Sequence, residues 1–423
     1  MSTTRDDAGA PPLVGSGSQQ RAGTPADAVD GVVPARVLRP VSLGAARDAV
    51  RNAANAGEAL LASGRGRHLA IGGVPERLDV LLQLDLLNRI REHAAADMTV
   101  TVEAGCTLAT LAATLAEAGQ WLPLDPPAPE ETTVGGLIAA NLSGPLRASQ
   151  GTVRDLLLGL RWIAPDGALV AGGGRVVKNV AGYDLPKAHV GALGTLGVIV
   201  EATFKLRPRP EREGAVLLAC ADAASAVNAA LAVRDAVEPG WLEIASGTVA
   251  GVDAPFAVAC GFLGVAAEVE DARARARAAA DGAKAEVAGA LDDEPARELR
   301  ARLGGFALAP AAAVLRASTL PNRLADVLDA QAPCVAHAAN GVARLVAQNR
   351  ENAIELVRRL RVPIERAGGA LVVERATPDV KHALRELGGV WGDPGDGCEL
   401  MRRLKAAFDP GRALAPGRFV ADL

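Results

Sequence analysis

Between residues 30 and 210, short apolar runs with strand-like alternation trade places with segments whose apolar positions recur every three or four residues. Residues 32–38 predict a first strand, and Ser42 is placed to N-cap a helix that runs to about Ala56 and ends at Gly57. Residues 59–62 predict a second strand, completing a β-α-β opening. Residues 78–84 and 98–103 read as strands by alternation or β-branching, and leucines 108, 111 and 115 carry helical spacing up to the terminator Gly119. A strand at 155–164, a turn at Pro165-Asp166-Gly167 and a return strand at 168–171 follow. Val198-Ile199-Val200 opens a further buried strand.

After Pro208-Arg209-Pro210 the texture changes. A strand at 215–220, a helix at 222–237, strands at 241–245 and 256–263 and a helix at 265–282 give a β-α-β-β-α order. Such an order suits a ferredoxin-like lobe. Runs at 311–318 and 334–346, a helix at about 351–367 and a strand at 370–374 continue it. A closing helix from Glu399 stops at Pro410-Gly411. Residues 1–30 are rich in Ser, Thr, Gly, Pro and Asp, lack the apolar centre of a secretory signal, and read as a flexible tail.

Composition narrows the chemistry. Hydrophobic residues make up 49% of the 423, but aromatic residues only 3%, so the core is built from Ala, Val and Leu and large aromatic cages are excluded. A net charge of −4 provides no basic field for a phosphate backbone, which argues against nucleic acid as a partner. The cysteines at 106, 220, 260, 334 and 398 form no Cys-x-x-Cys pair. They suggest neither a zinc nor an iron–sulfur site, and fit reduced cytosolic thiols. No window reaches the roughly 18 apolar residues of a spanning helix. No Ser-His-Asp, His-Glu-x-x-His or paired-carboxylate pattern is evident.

Glycine carries the strongest signal. Gly64-Arg65-Gly66-Arg67-His68 opens a loop whose amides suit an anion-binding nest. Thr132-Thr133-Val134-Gly135-Gly136 joins an N-cap threonine to a helix start left bare by glycine. Gly182, Gly191, Gly194 and Gly197 precede the strand at Val198, the reverse of the order in a dinucleotide fingerprint.

Lys178-Asn179-Val180-Ala181-Gly182-Tyr183-Asp184-Leu185 with Gly194-Thr195-Leu196-Gly197-Val198-Ile199 resembles the signature of FAD-linked oxidases of the vanillyl-alcohol-oxidase type, above all their glycolate-oxidase FAD subunits. The likeness continues through Pro126-Pro127, Asn141-Leu142-Ser143-Gly144-Pro145 and Gly151-Thr152-Val153-Arg154-Asp155. It implies an α+β fold: a two-lobed PCMH-type FAD-binding domain over 31–210, a ferredoxin-like α+β cap over 211–395, and a segment 396–423 returning to the first domain.

The resemblance implies FAD held by Gly64, Gly66, Arg67, His68, Pro126, Pro127, Thr132, Thr133, Val134, Gly135, Gly136, Asn141, Ser143, Gly144, Gly151, Val153, Arg154, Asp155, Thr195, Gly197, Val198 and Ile199. Arg65 and Arg67 stand where relatives usually carry glycines and a hydroxyl residue. They either pair with phosphates as bidentate donors or obstruct the close approach that glycine allows. Ala415 replaces an asparagine common in the family's closing motif. Tyr183 and His189 are candidates for lining the flavin pocket, and His337 for facing it from the cap. No catalytic base and no metal site is assigned. Cys106 and His68 lie in the lobe where covalent flavin attachment occurs in the superfamily, with no bond indicated.

The implied activity is oxidation of glycolate or a related 2-hydroxy acid in a complex with a second FAD subunit and an iron–sulfur subunit, in the cytoplasm or at the membrane through partners. A stand-alone oxidoreductase and a flavin-less scaffold remain the alternatives.

Overall fold

The computed structural model describes residues 13–14, 17–174, 183–329 and 332–423. Two five-stranded sheets come first. In one, Arg36–Pro40, Val80–Gln83 and Leu60–Ser63 run parallel side by side, and Ser18–Ala22 adds an antiparallel strand beside Arg36–Pro40. The other is wholly antiparallel, in the order Leu169–Gly173, Leu157–Ile163, Val198–Lys205, Thr99–Glu103, Ile90–Ala94. The sheets share a core in which Leu38, Leu60 and Val80 pack with Ile163, Val198 and Val200. Ser42 caps the helix Leu43–Asn55 as its hydroxyl position predicts, accepting from the Ala45 amide.

The expectation of a free tail needs correction for residues 18–30. Ser18–Ala22 is bound in the sheet, Arg21 pairs with Asp27, and Asp30 takes ion pairs from Lys381 and Arg418. Polar composition concealed this, because these contacts are ionic and backbone rather than apolar. The lead of the signature, Lys178 to Gly182, lies outside the described residues.

The cap is one eight-stranded antiparallel sheet. Arg212–Cys220, helix Ala223–Val237, Trp241–Ser246, Phe256–Gly264, helix Ala266–Gly282 and Glu286–Asp292 form a complete βαββαβ unit with spatial order 4-1-3-2. Joined to its edge is a second, abbreviated unit: Ala313–Ser318, Cys334–His337, Val342–Ala347, helix Arg350–Arg366 and Ala370–Ala376. The run expected at 334–346 is a hairpin, turned at 338–341 with Gly341 at φ +69°. The strand expected at 155 begins at Leu157, because Thr152 and Asp155 close a capping box around the turn Val153–Leu156.

One face of the cap sheet packs on helices through Leu242, Ile244, Leu315 and Leu345. The opposite face carries Trp241, Val314 and Val335 against helix Asp293–Gly305 and against Leu146 of the first sheets' unit. The two units also meet where Ile71 bridges Arg375, and where Arg300 joins Asp125 to Glu213. After helix Cys398–Phe408 the chain returns, with Leu414 bridging Leu60 at the sheet edge.

Candidate functional site

A cleft opens beside the ends of both first sheets. One wall is the strand end Leu61–Ser63 and the loop 64–69; the opposite wall is Thr133, Gly135, Gly136, Ala139 and Ala140, with Gly194, Gly197 and Ile199 at the back. Glycine brings the two walls together: a Cβ on Gly64 would lie 2.7 Å from Thr133 Cγ2, while one on Gly197 would lie 2.5 Å from the Trp162 ring in the core behind the cleft.

The loop is held from behind. Arg418 donates to the carbonyls of Leu69, Ile71 and Gly73, Lys381 donates to those of Ala70 and Gly72, and Asp30 ties the two cations together. Carbonyls are thus turned toward buried positive charge. Among the described residues, the amides of 65–68 enter no backbone hydrogen bond, which leaves them free to serve an anion. Burial lowers the Lys381 pKa to about 8, against the pull of Asp30.

His68 has a defined tautomer. Thr132 Oγ1 donates to the Pro127 carbonyl at 2.8 Å, so the hydrogen between Thr132 and His68, also 2.8 Å, belongs to His68 Nε2. Burial, reinforced by Arg67, lowers this imidazole's pKa to about 4. It is neutral at physiological pH. Arg65 donates to the Glu130 carbonyl and Arg67 pairs with Glu131 at 3.5 Å, so both guanidiniums span the rim of the cleft.

Of the residues expected to hold the ligand, Gly64, Gly66, Arg67, His68, Thr133, Gly135, Gly136, Gly197 and Ile199 line the cleft. Thr132 stands behind His68 as its partner. Val134 and Val198 are core residues. Thr195 turns its hydroxyl to the Ala192 carbonyl, and Asn141 is the left-handed C-cap of helix Val134–Ala140. Ser143 accepts from Arg147, while Gly144 packs on Asp125. Gly151, Val153, Arg154 and Asp155 belong to the capped turn away from the cleft. Pro126 and Pro127 line a separate hollow with Trp121 and Arg300.

Tyr183 does not line the pocket, being 94% exposed. His189 is buried against Trp162, behind Gly197, with no partner for Nε2. Cys106 lies in the core with its thiol pKa pushed up to about 11 by burial. All five cysteines are free and buried. Ala415 occupies the left-handed region at φ +47°, a conformation that asparagine tolerates better than alanine.

Sequence reading missed Ser63, Leu193 and Arg418 on the cleft wall. Ser63 matters most: its Oγ is buried without a hydrogen-bond partner, as befits a hydroxyl whose partner is a ligand. Nothing in a Leu-Leu-Ala-Ser strand announces that.

A glycine-walled cleft, free loop amides and an unpartnered hydroxyl suit a phosphate-bearing cofactor. Residues 34–173 match the family model described as FAD binding domain, and FAD is the cofactor these walls fit. Over 92% of its length the chain shares the fold of p-cresol methylhydroxylase, with TM-score 0.70 at 15% identity and 89% of that chain covered. An alkyldihydroxyacetonephosphate synthase matches with TM-score 0.68 at 20% identity, over 92% and 78%.

Among curated proteins, glycolate oxidase subunit GlcE of Escherichia coli (strain K12) is 43% identical over 136 residues, 32% of this chain and 38% of that protein. Glycolate oxidase subunit GlcD of Bacillus subtilis (strain 168) is 27% identical over 413 residues, 85% and 83%. A D-2-hydroxyglutarate dehydrogenase of Xanthomonas citri pv. viticola is 33% identical over 186 residues, 44% and 39%. The matches to GlcE and to the hydroxyglutarate dehydrogenase thus span under two fifths of those proteins.

Proposed function

We propose that this chain is an FAD-dependent oxidoreductase acting on the CH–OH group of a 2-hydroxy acid, serving as the FAD-binding subunit of a glycolate-oxidase-like complex. The observation that carries the reading is that most of the glycine-walled cleft is lined from residues 34–173, which match the FAD binding domain model, in a chain whose relatives are named for glycolate, D-2-hydroxyglutarate and D-lactate. Bound FAD would supply the hydride acceptor. The chain's own residues do the rest. The free amides of 65–68 and the rim arginines Arg65 and Arg67 hold the pyrophosphate, Ser63 Oγ makes a polar contact deep in the cleft, and Gly64, Gly135, Gly136 and Gly197 allow the flat ring system to approach the backbone.

In this reading the partners are a second FAD subunit and an iron–sulfur subunit, since five buried cysteines scattered through the chain offer no cluster ligation. In the same reading the chain is cytoplasmic and any membrane association comes through partners; among the described residues no helix is long and apolar enough to cross a membrane. The second reading, a stand-alone oxidoreductase, draws on the relatives named as D-2-hydroxyglutarate and D-lactate dehydrogenases rather than as subunits.

The experiment is glycolate-driven dye reduction by the FAD-loaded chain, alone and after co-expression with candidate partner subunits. Turnover only in the complex supports the accessory role. Full turnover by the isolated chain supports the stand-alone reading, and no turnover in either state across a panel of 2-hydroxy acids refutes both.

A further inference from the structure

A buried polar row crosses the cap face that is turned toward the FAD unit. His337 donates from Nδ1 to Glu243 at 2.7 Å and accepts at Nε2 from Arg344 at 2.9 Å; Arg344 in turn donates from Nε to Glu374 at 2.7 Å. The ring proton is fixed on Nδ1 because a guanidinium can only donate. Cross-strand register builds the row: Glu243 lies opposite His337, Val335 opposite Arg344, and Arg344 opposite Arg316. The row opens outward. Side-chain exposure is 0% at Glu243, 10% at Arg344 and 34% at Arg316.

Arg147 comes to this row from the FAD unit. Its guanidinium is pressed by burial and by repulsion from Arg344 and Arg316, and lies within electrostatic reach of Glu243 and Glu374. Three guanidiniums therefore gather around one clearly ionised carboxylate: burial opposes ionisation of Glu374, but Arg344 overrides it and holds the pKa at about 2. Burial instead pushes Glu243 well above the usual carboxylate range. The cluster carries excess positive charge in a place of limited solvation.

Pairing is also incomplete. Arg147 Nη1 donates to Ser143, and Arg316 comes no nearer Glu374 than 3.8 Å. Arg147 Nε, Arg316 Nε and Glu243 Oε2 are buried without partners. Native structures leave few such atoms unpaired. Here two of the three belong to cations, so the missing partner is an anion. The third is a carboxyl oxygen, which suits a hydroxyl. The row ends beside the flavin cleft, since Glu374 acts electrostatically on the cleft residue His68.

We propose that Arg147 and Arg316 clamp the carboxylate of a small 2-hydroxy acid at the seam between the two units, with Glu243 pairing with its hydroxyl. The assignment rests on the hydroxy-acid reading of function. It gives each unit a share of the substrate: Arg147 from the FAD side, Arg316 and Glu243 from the cap. Arg344 and His337 act as positioning residues that hold Glu243 and Glu374 in register.

The test is calorimetric titration of the FAD-loaded full chain with glycolate, with acetate, which lacks the hydroxyl, and with inorganic phosphate. The parent chain binds glycolate more tightly than acetate. Arg147→Met weakens both at least tenfold with FAD content and melting temperature unchanged, and Arg147→Lys recovers part of the loss. Glu243→Met brings glycolate down to the level of acetate and leaves acetate unaltered. Should Arg147→Met fold poorly, Arg316→Met at the open end serves the same purpose.

Variant titrations that superimpose on the parent's overturn the assignment while leaving the hydroxy-acid reading intact. Phosphate binding more tightly than glycolate also overturns it. A parent chain that retains FAD yet binds neither glycolate, D-lactate nor D-2-hydroxyglutarate overturns the hydroxy-acid reading itself, and the assignment with it.

Discussion

Replacing Gly64 with alanine tests whether cleft width is set by one close approach. A methyl group there would sit 2.7 Å from Thr133 Cγ2, 2.9 Å from its Cβ and nearer still to Oγ1. Thr133 cannot simply rotate away, because its Oγ1 caps helix Val134–Ala140 by accepting from the Gly136 amide. Loop and helix start must part instead. Overpacking of this kind costs about 1–3 kcal/mol. Because the same two walls hold the cofactor, FAD affinity falls roughly 10- to 100-fold, or ~1.4–2.8 kcal/mol.

Urea melts and flavin-fluorescence titrations measure both effects. Thr133→Ala alone costs ~1 kcal/mol through the lost cap. The double variant Gly64→Ala/Thr133→Ala recovers part of the steric loss, since Oγ1 and Cγ2 are gone while Cβ stays 2.9 Å away, so the cycle shows coupling of ~1 kcal/mol. A Gly64→Ala protein with parental stability and FAD affinity, or strictly additive single effects, would refute the steric argument.

Ser63→Ala leaves the stability of the cofactor-free protein unchanged or slightly raised, since no bond is lost, while FAD affinity drops by ~0.5–1.5 kcal/mol; an equal affinity would mean the hydroxyl has no ligand to meet. Lys381→Met leaves the carbonyls of Ala70 and Gly72 unpaired and should destabilise the fold by ~3 kcal/mol in chemical denaturation, with weaker FAD retention although Lys381 does not line the cleft. His68 makes the fold acid-sensitive. The unfolded imidazole takes a proton below about 6.5, but the folded one, buried beside Arg67 and only partly compensated by Glu374, waits until about 4. Stability is intact above pH 6.5 and falls by as much as ~3 kcal/mol as pH drops through that window. Urea midpoints between pH 7 and 4 should therefore fall less steeply for His68→Gln than for the parent.

The parts legible in the sequence were those fixed by local chemistry. Ser42 caps the helix its position predicts, and the glycines at 64, 66, 135, 136 and 197 meet at one cleft although they lie far apart in the chain. The parts that stayed hidden depend on tertiary pairing. Asp30 sits in a polar stretch that composition marks as a tail, yet it neutralises two buried cations from the distant positions 381 and 418. Glu286–Asp292 alternates exposed and half-buried positions as an edge strand, and its register with Arg212–Cys220 supplies the order that local pattern lacks. In the sequence His337 is a candidate only for facing the flavin from the cap. Only the register placing it between Glu243 and Arg344 makes it part of a row.

Spectrophotometric titration of the purified chain with FAD, followed by acid precipitation, tests the central claim most directly. The account predicts uptake of one flavin per chain into the cleft and release of unmodified FAD into the supernatant. A colourless chain that takes up no added FAD would contradict it, and would mean that Arg65 and Arg67 close the rim they span.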